Sequence, residues 1–372
     1  MIYIHVPFCK SFCTYCGFYS ELCRPGGRDA EFYADAVCRE AERRRNDILS
    51  TAGVNTLYIG GGTPSVLPSA LLEKMVRALP FPPGGYDEFT VEVNPDDLTP
   101  AYAEFLLSLG VNRLSMGVQS FNDDILRWMN RRHSVAGAVR AFRTARSAGF
   151  ANISLDLIFG LPLRADGSVI LADAAWEDTI DGLLNLEPEH ISCYQLSVEK
   201  GSALETMIEK GSLREAPQEL CRAQYDLLCS RLAAAGYQHY EVSNFALPGH
   251  KAVHNSAYWS GAPYVGLGPG AHSYDGARHR TWNSETMPGY TSEGETLTDK
   301  DLSEERIMLS LRTASGIPLG ELRCLAAPDA LEAALAKGLL VTTTEADSTE
   351  LRVRIPEPHF FISDSIISSL VI

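Results

Sequence analysis

The sequence has few positive charges and no long apolar run. It carries 32 Lys and Arg residues against 47 Asp and Glu residues, which gives a net charge of −15 at pH 7. This balance argues against broad binding of nucleic acid or anionic membranes, and we expect no nucleic-acid partner. No run approaches the roughly 18 apolar residues of a transmembrane helix, and the first ten residues lack the basic leader of a signal peptide. We therefore expect a cytoplasmic protein.

The cysteines are unevenly spread along the chain. Three of the 9 cysteines stand together in FCKSFCTYC, at Cys9, Cys13 and Cys16. Zinc needs a closed tetrahedral set, and no second CxxC pair or nearby Cys/His pair completes one, although Cys23 follows at a short distance. A [4Fe–4S] cluster has four irons, so three cysteines leave one iron open to bind a substrate or cofactor. The scattered cysteines are predicted to be reduced structural residues: Cys23, Cys38, Cys193, Cys221, Cys229 and Cys324.

Strand-like and helix-like segments alternate through the first part of the chain, residues 1–240. Such alternation predicts right-handed βαβ units around a parallel sheet. We predict an α/β fold built as a partial TIM-like (β/α) barrel, with a doubly wound open sheet as the alternative. The predicted strands are 1–6, 56–59, 89–93, 113–118, 153–159 and 190–198. The predicted helices are 29–49 with Asp29 as its N-cap, 134–149 between Ser134 and Gly149, and 217–236.

The second part of the chain has a different character. Residues 241–300 are rich in Gly, His and aromatic residues, and we predict a loop-rich segment that completes the side of the barrel. Residues 301–372 contain helix-like segments followed by the hairpin-like stretch 339–356. This order predicts a small α+β domain that resembles a winged helix. The acidic chain argues against DNA binding by that domain.

Polar and glycine-rich motifs follow the predicted strands directly. They read HVPFC, GGGTPS, EVNPDD, GVQSFND, FGLP and SVEKGS. A parallel α/β sheet places its active site at the carboxyl ends of its strands. We therefore expect these loops to meet at one mouth of the barrel and to form the functional site.

The motif CxxxCxxC after the first strand of an α/β barrel resembles the radical S-adenosylmethionine (SAM) superfamily. The further motifs YIGGGTPS, VEVNP, NRRH, DLIFGLP and GLGPGAHS resemble its oxygen-independent coproporphyrinogen III oxidase-like family. The resemblance covers nearly the whole chain. It implies that Cys9, Cys13 and Cys16 hold a [4Fe–4S] cluster whose fourth iron chelates SAM. The residues that it assigns to the SAM site are Tyr3, Tyr15, Gly61, Gly62, Thr63, Glu92, Gln119, Arg131 and Asp156.

The family includes dehydrogenases, which decarboxylate two propionates of coproporphyrinogen III, and haem chaperones, which deliver haem to client proteins. In the dehydrogenases a further cysteine follows the third by two residues, and Phe18 stands at that position here. The stretch HNSAYW matches an HNxxYW pattern that resembles the haem-chaperone branch. We therefore favour a haem chaperone, with the dehydrogenase as the alternative and a radical SAM enzyme for another small molecule as a third reading.

The HNxxYW pattern also suggests where haem binds. Haem iron accepts an axial His or Tyr ligand, and an indole can stack on a flat porphyrin. The residues predicted to bind haem are His254, Asn255, Tyr258 and Trp259, with His250 and His272 as alternative ligands. The resemblance leaves open whether SAM is cleaved, which client is served, whether that client is membrane-associated and whether the chain forms a homodimer.

Overall fold

The computed structural model describes residues 1–23, 28–51, 53–170, 173–287, 289–344 and 350–371. In chain order its strands are β1 (Ile2–Val6), β2 (Phe8–Cys9), β3 (Glu21–Leu22), β4 (Thr56–Gly61), β5 (Glu88–Val93), β6 (Arg113–Gln119), β7 (Ile153–Phe159), β8 (Leu163–Arg164), β9 (His190–Gln195), β10 (Leu213–Arg214), β11 (Gln238–Glu241), β12 (Asn244–Ala246), β13 (Val265–Leu267), β14 (His272–Tyr274), β15 (His279–Asn283), β16 (Ser292–Thr296), β17 (Ile317–Pro318), β18 (Val341–Thr344) and β19 (Leu351–Arg354).

The α-helices of the described residues surround these strands. They are α1 (Asp29–Arg43), α2 (Arg45–Ser50), α3 (Ser69–Arg77), α4 (Pro100–Ser108), α5 (Asp123–Trp128), α6 (Val135–Ala148), α7 (Asp173–Leu184), α8 (Ala203–Glu209), α9 (Gln218–Ala234), α10 (Val253–Trp259), α11 (Asp299–Leu311), α12 (Leu319–Leu325), α13 (Pro328–Ala336) and α14 (Ser363–Leu370). Short 3₁₀ turns lie at Pro64–Val66, Pro95–Asp97 and Glu357–Ile362. No helix among these is long and apolar enough to cross a membrane.

One large sheet forms the centre of the molecule. Its strand order is β11-β12-β9-β7-β6-β5-β4-β1-β13. The strands from β9 through β13 in this order pair in parallel, whereas β12 and β11 are antiparallel additions at one edge. Within the described part of the chain, β11 and β13 do not pair with each other, so the barrel is partial. The predicted fold class, a partial (β/α) barrel with a small C-terminal domain, is confirmed.

Alternation along the strands gives the sheet two different faces. In β5, Phe89 and Val91 are buried on the face covered by helices, while Glu92 points to the lumen. In β6, Leu114 is buried in the core and Ser115 lines the lumen. Successive side chains point to opposite faces of a strand. The apolar residues on one face of the sheet therefore pack against the helices, and the polar residues on the other face line a central cavity.

Helix α6 shows why some boundaries were predictable. Its N-cap is Ser134, whose hydroxyl accepts a hydrogen bond from the Gly137 N–H. It ends at Gly149, which adopts the left-handed conformation with φ of 118°, a conformation that glycine reaches without a Cβ penalty. Both predicted ends of this helix are confirmed.

Two predictions of local structure differ from the structure. The predicted helix 29–49 is two helices that meet at Arg44, and Asp29 is its first helical residue because Arg28 is the N-cap. The segment 241–300 has more regular structure than predicted, since it contains β12, α10 and strands β13 to β16. These elements are too short to show a hydrophobic period in the sequence. Strand β13 pairs with β1 at the edge of the sheet.

The C-terminal region combines helices with a small antiparallel sheet. Strand β19 lies between β17 and β18 and pairs with both in antiparallel fashion. Helices α11, α12 and α14 pack around this sheet, and their core includes Leu311, Leu322 and Ile366. This arrangement of helices and hairpin is the predicted α+β type. The exact domain limits at residues 240 and 300 stay predictions.

Candidate functional site

A single cavity of about 1280 Å³ opens at the carboxyl ends of the parallel strands. Its volume exceeds that of a typical small-molecule pocket. The cavity brings together residues from loops far apart in sequence, as the positions of the motifs predict. The predicted residues that line it are Cys9, Cys13, Tyr15, Cys16, Gly61, Gly62, Thr63, Glu92, Gln119, Arg131, Asp156 and Asn255.

The loop that carries the three cysteines is held from several sides. Thr14 donates its backbone N–H to Met129 O at 3.1 Å and its hydroxyl to Trp128 O at 2.7 Å. The Asn130 side-chain amide donates to Phe12 O at 2.7 Å. These bonds attach the cysteine loop to the segment that precedes Arg131. The three thiols consequently face one cavity without a disulfide among them.

A buried carboxylate adds to this support. Asp97, whose side chain is only 3% exposed, accepts from Arg132 at 2.7 Å and from Lys10 at 2.7 Å. Burial alone would raise the pKa of Asp97, but the hydrogen bonds from Arg132 and Lys10 lower it below its usual value. A buried carboxylate that satisfies two cations fixes both of their side chains. Lys10 lies between two of the cysteines, so Asp97 ties the loop to the end of β5.

The glycine motif after β4 packs against the cysteine loop backbone. Gly62 donates its N–H to Val6 O at 2.8 Å, and Thr63 donates to Phe8 O at 2.7 Å. A Cβ on Gly62 would lie 2.7 Å from Phe8 O, and one on Gly61 would lie 2.5 Å from the His5 ring. Only glycine fits this close approach of two backbones. The Thr63 hydroxyl then lies 3.6 Å from the Cys9 Sγ.

Burial disfavours the thiolate form of two of the three cysteines. It raises the pKa of Cys16 to about 11 and also raises that of Cys9, where hydrogen bonds from Thr63 and Ser20 oppose the shift. Thiolates, not thiols, bind metals, and a bound metal supplies the charge that displaces the proton. The Arg131 guanidinium donates to the Cys13 Sγ at 3.3 Å. Arg131 can therefore stabilise negative charge on a thiolate at this position.

Two carboxylates, Glu92 and Asp156, project from the strands into the lumen and are only partly exposed. Glu92 accepts from the Tyr58 hydroxyl at 2.8 Å and from the Gly61 N–H at 3.1 Å, and burial raises its pKa to about 7. Asp156 accepts from the Ser115 hydroxyl at 3.3 Å, and burial raises its pKa to about 6. Shifted carboxylates in a cavity are typical of binding sites for polar or charged ligands. Both can accept hydrogen bonds from an amine or from ribose hydroxyls.

The side chains of Gln119 and Arg131 lie close together at the carboxyl end of β6. Gln119 has a positive φ of 70° at a point where the register between β6 and β7 shifts. The Arg131 guanidinium donates to Gly117 O, and a Cβ on Gly117 would meet the Gln119 and Arg131 side chains. The Arg131 Nε is buried without a hydrogen-bond partner in the described structure. A buried donor with no partner, beside open space, suits a ligand with acceptor atoms.

The remaining predicted residues lie elsewhere. The Tyr3 hydroxyl lies 3.0 Å from His5 Nδ1, and its ring packs 6.1 Å from Tyr58, outside the cavity lining. His254 is 1% exposed. Its Nδ1 lies 2.8 Å from the Thr56 hydroxyl and its Nε2 lies 3.2 Å from the Tyr258 hydroxyl. Both ring nitrogens are thus engaged inside the protein.

The residues around His254 close the lumen at its far end. Helix α10 begins where Val253 and His254 donate their backbone N–H groups to the Glu88 carboxylate at 2.7 and 2.9 Å. Tyr258 and Trp259 are half-buried, as is His250, whereas His272 is exposed and its ring stacks on Trp282 at 6.1 Å. The structure therefore separates Asn255, which lines the cavity, from the other three residues of the HNxxYW pattern.

Sequence reasoning missed several residues of the lumen. Tyr58, Arg113 and Ser115 line the cavity, and the Arg113 side chain is almost fully buried. Their signal was available, because they are polar residues at alternate positions of central strands. The two faces of a parallel sheet are usually both apolar. Polar residues at alternate positions in such strands therefore indicate a lined lumen.

The fold and the cysteine-bearing cavity together define a protein of the radical SAM class. Residues 3–169 match the radical SAM superfamily. Membership of this class implies an iron–sulfur cluster and SAM as cofactors. The structure also resembles that of Escherichia coli coproporphyrinogen III oxidase (HemN), described as a radical SAM enzyme, with a TM-score of 0.78 at 21% identity over 100% of this chain and 89% of that one. That likeness concerns the fold.

Relatives of higher identity define the family within this class. The chain is 37% identical over 330 residues to heme chaperone HemW of Bacillus subtilis, and the matched region covers 85% of this chain and 84% of that protein. It is 35% identical over 353 residues to heme chaperone HemW of Mycobacterium tuberculosis, and here the matched region covers 91% of this chain and 88% of that protein. The chain belongs to the HemW family.

Proposed function

We propose that this protein is a haem chaperone: it binds haem and delivers it to client haemoproteins, and it does not oxidise coproporphyrinogen III. The observation that carries the proposal is the 35–37% identity, over most of the chain, to relatives named heme chaperone HemW. Phe18 supports it, because this residue occupies the position at which the dehydrogenases are expected to have a further cysteine. Its side chain is 72% exposed and lines the mouth of the cavity.

We assign the cluster to Cys9, Cys13 and Cys16. Their thiols face one cavity, and the Arg131 guanidinium adjoins one of them. Three thiolates suit a [4Fe–4S] cluster with one open iron, and such a cluster, when bound, would coordinate SAM and supply an electron to it. Two features of the chain position the cysteine loop. The glycine loop hydrogen-bonds to the backbone that precedes Cys9, and Asp97 forms an ion pair with Lys10.

We assign SAM to the polar residues at the ends of β4 to β7. The Gly61–Thr63 loop offers close backbone approach, Glu92 and Asp156 offer carboxylates, and Gln119 offers both a donor and an acceptor. The Arg131 Nε, which has no partner in the described structure, offers a further donor. The Tyr15 ring also lines this cavity, and Tyr3 supports it from behind through His5 and Tyr58.

We assign the haem iron to a histidine in residues 250–272. The HNxxYW pattern favours His254, with Asn255, Tyr258 and Trp259 around the porphyrin. In the structure described here, binding at His254 requires its ring to leave Thr56 and Tyr258, so helix α10 would have to move. His272 needs no such movement because it is already exposed beside Trp282. Haem binding at His254 therefore requires a conformational change in the protein, whereas haem binding at His272 does not.

The decisive experiment separates carrier from enzyme. The protein is purified anaerobically, its cluster is reconstituted, and haem or coproporphyrinogen III is added in separate reactions with SAM. We expect stoichiometric haem binding, seen as a shifted Soret band, and no protoporphyrinogen product. Turnover of coproporphyrinogen III to protoporphyrinogen would establish the dehydrogenase alternative instead.

A pair of variants identifies the haem ligand. His254→Ala is expected to weaken haem binding and leave iron content unchanged, whereas His272→Ala serves as the matched control. Loss of haem binding in His272→Ala but not in His254→Ala would assign the ligand to His272. Circular dichroism of both haem-free variants checks that the buried His254 contacts are not required for folding. Sedimentation with and without the cluster tests whether the chain forms a homodimer.

A further inference from the structure

Three potential metal ligands meet outside the large cavity. They are Cys229 on α9, His239 on β11 and Glu357 at the start of the 3₁₀ turn before α14. One ligand atom from each lies within 4.8 Å of the other two. The His239 Nδ1 lies 3.9 Å from the Cys229 Sγ and 3.2 Å from the Glu357 Oε1. These residues come from the barrel and from the C-terminal region, and none belongs to the site described above.

The hydrogen bonds around His239 show which ring nitrogen faces this group. The Tyr225 hydroxyl donates its proton to Val242 O at 2.9 Å. His239 Nε2 lies 3.2 Å from the same hydroxyl and 3.4 Å from Val242 O, and this carbonyl acceptor favours a proton on Nε2. In a neutral imidazole the other nitrogen, Nδ1, then carries a lone pair. In that tautomer Nδ1 is a free ligand atom that faces the Glu357 carboxylate and the Cys229 sulfur.

A proton on His239 Nδ1 would engage Glu357 alone, whereas a metal ion would engage all three ligand atoms, whose spacing suits a metal site. Ordinary zinc bond lengths and tetrahedral angles put sulfur and nitrogen ligands about 3.6 Å apart, and nitrogen and oxygen ligands about 3.3 Å apart. The observed separations are 3.9 and 3.2 Å. All three ligand atoms already lie within 4.8 Å of one another, and the half-exposed Glu357 side chain can move inward to complete the site.

The central ligand is rigidly held. The His239 side chain is 2% exposed. Its ring stacks on Phe245 at 4.1 Å and meets the edge of Phe360 at 4.9 Å. A ligand fixed by packing and by a hydrogen bond from its second nitrogen is the usual arrangement of a metal-bound histidine. We propose that Cys229, His239 and Glu357 bind a zinc-class divalent cation, with water as the fourth ligand.

The proton balance of this binding is simple. Burial raises the pKa of the Cys229 thiol to about 12, with further contributions from the carboxylates of Glu357 and Asp226. The free thiol is therefore protonated at neutral pH. On binding, the S–H bond breaks, the proton passes to solvent and the sulfur bonds to the cation. The nearby Arg222 guanidinium opposes a cation only partly, since it pairs with Asp226 at 2.7 Å.

A cation at this site would join two parts of the chain. His239 lies on an edge strand of the central sheet and Cys229 on the helix α9 that packs against it, whereas Glu357 precedes the final helix of the C-terminal region. Without the ion this corner is held by the contact of His239 with Glu357 and by an Arg222 N–H donated to Pro358 O at 3.0 Å. The ion would act as a structural clamp, and its binding should raise the melting temperature.

The test uses the full chain with its iron–sulfur cluster assembled, so that Cys9, Cys13 and Cys16 are occupied. Zinc is titrated in competition with a chromogenic chelator, and cobalt(II) is added in parallel as a spectroscopic probe. We expect one zinc ion per chain, a sulfur-to-cobalt charge-transfer band and a higher melting temperature with zinc. Cys229→Ser should abolish the band, and Cys324→Ser, which removes an exposed thiol elsewhere, should leave it unchanged.

Glu357→Gln gives a second, milder test. Its side chain is half-exposed, so the fold should tolerate it, and zinc affinity should fall by at least about 10-fold, since even the loss of a partner outside the ligand set costs about 10–100-fold. The proposal is wrong if the cluster-loaded chain takes up no stoichiometric zinc, or if Cys229→Ser binds zinc and cobalt as the unmodified chain does. If Cys229→Ser fails to fold, unchanged zinc affinity in Glu357→Gln overturns the proposal by itself.

Discussion

Replacing Gly62 by alanine tests how the glycine loop supports the cysteine loop. A Cβ at this position would lie 2.7 Å from Phe8 O and 2.9 Å from Val6 O. Both oxygens belong to the backbone that leads directly into Cys9, so no side chain can rotate away to make room. The loop after β4 must instead move away from the end of β1.

The magnitude follows from the bonds that this movement breaks. Gly62 donates to Val6 O at 2.8 Å and Thr63 donates to Phe8 O at 2.7 Å. Each bond contributes about 1 kcal/mol net, and more where a buried group is left unpaired. With the cost of the displaced backbone we expect Gly62→Ala to lower the free energy of unfolding by about 2–4 kcal/mol. That is a large share of the ~5–15 kcal/mol that stabilises a typical protein.

Two measurements check this prediction. Urea unfolding of the cluster-free chain should show a lower midpoint for Gly62→Ala, and anaerobic reconstitution should give less iron per chain because Cys9 moves. The matched control is Gly320→Ala, where no atom lies within 4 Å of the added Cβ and the residue is inside α12. That change should stabilise by about 0.5–1 kcal/mol. Wild-type stability and iron content in Gly62→Ala would refute the argument.

Three further predictions follow from the site. Cys13→Ala should lose the visible absorption and iron of the reconstituted cluster, whereas Cys38→Ala should keep both. Burial raises the pKa of Glu92 to about 7, above the value of about 4.3 in an unfolded chain, so its contribution to stability falls as pH rises from about 4.5 to 7. Across this window Glu92→Gln should gain roughly 3 kcal/mol relative to wild type, measured by urea unfolding, and a constant difference would contradict the assigned burial. Asp97→Asn, which removes a buried carboxylate paired with the partly exposed Lys10 and Arg132, should lower stability by about 1–3 kcal/mol and reduce cluster loading; unchanged iron content would show that Lys10 does not hold the loop.

The local features of the fold were predictable from the sequence. The ends of α6 follow from Ser134 and Gly149, because caps act within a single turn. The strands that carry Glu92 and Asp156 follow from short apolar runs. The cysteine motif is equally local, since Cys9, Cys13 and Cys16 lie within one loop. For such features the determining interactions join residues that are neighbours in the chain.

Other features depend on contacts between distant residues. Along the chain, Arg113 and Tyr58 are recognisable only as polar residues in central strands; that they line one lumen, and that His254 is enclosed by Thr56 and Tyr258, depends on tertiary contacts. The order of the strands decides the first point, and the packing of α10 under the sheet decides the second.

The same division applies to function. By itself, the sequence determined the three-cysteine motif and the loops that surround it, because their spacing is written along the chain. Only the tertiary structure decided that Cys229, His239 and Glu357 stand together. Their meeting depends on how the C-terminal region packs against α9 and β11, and no pattern along the chain encodes a contact over so great a separation.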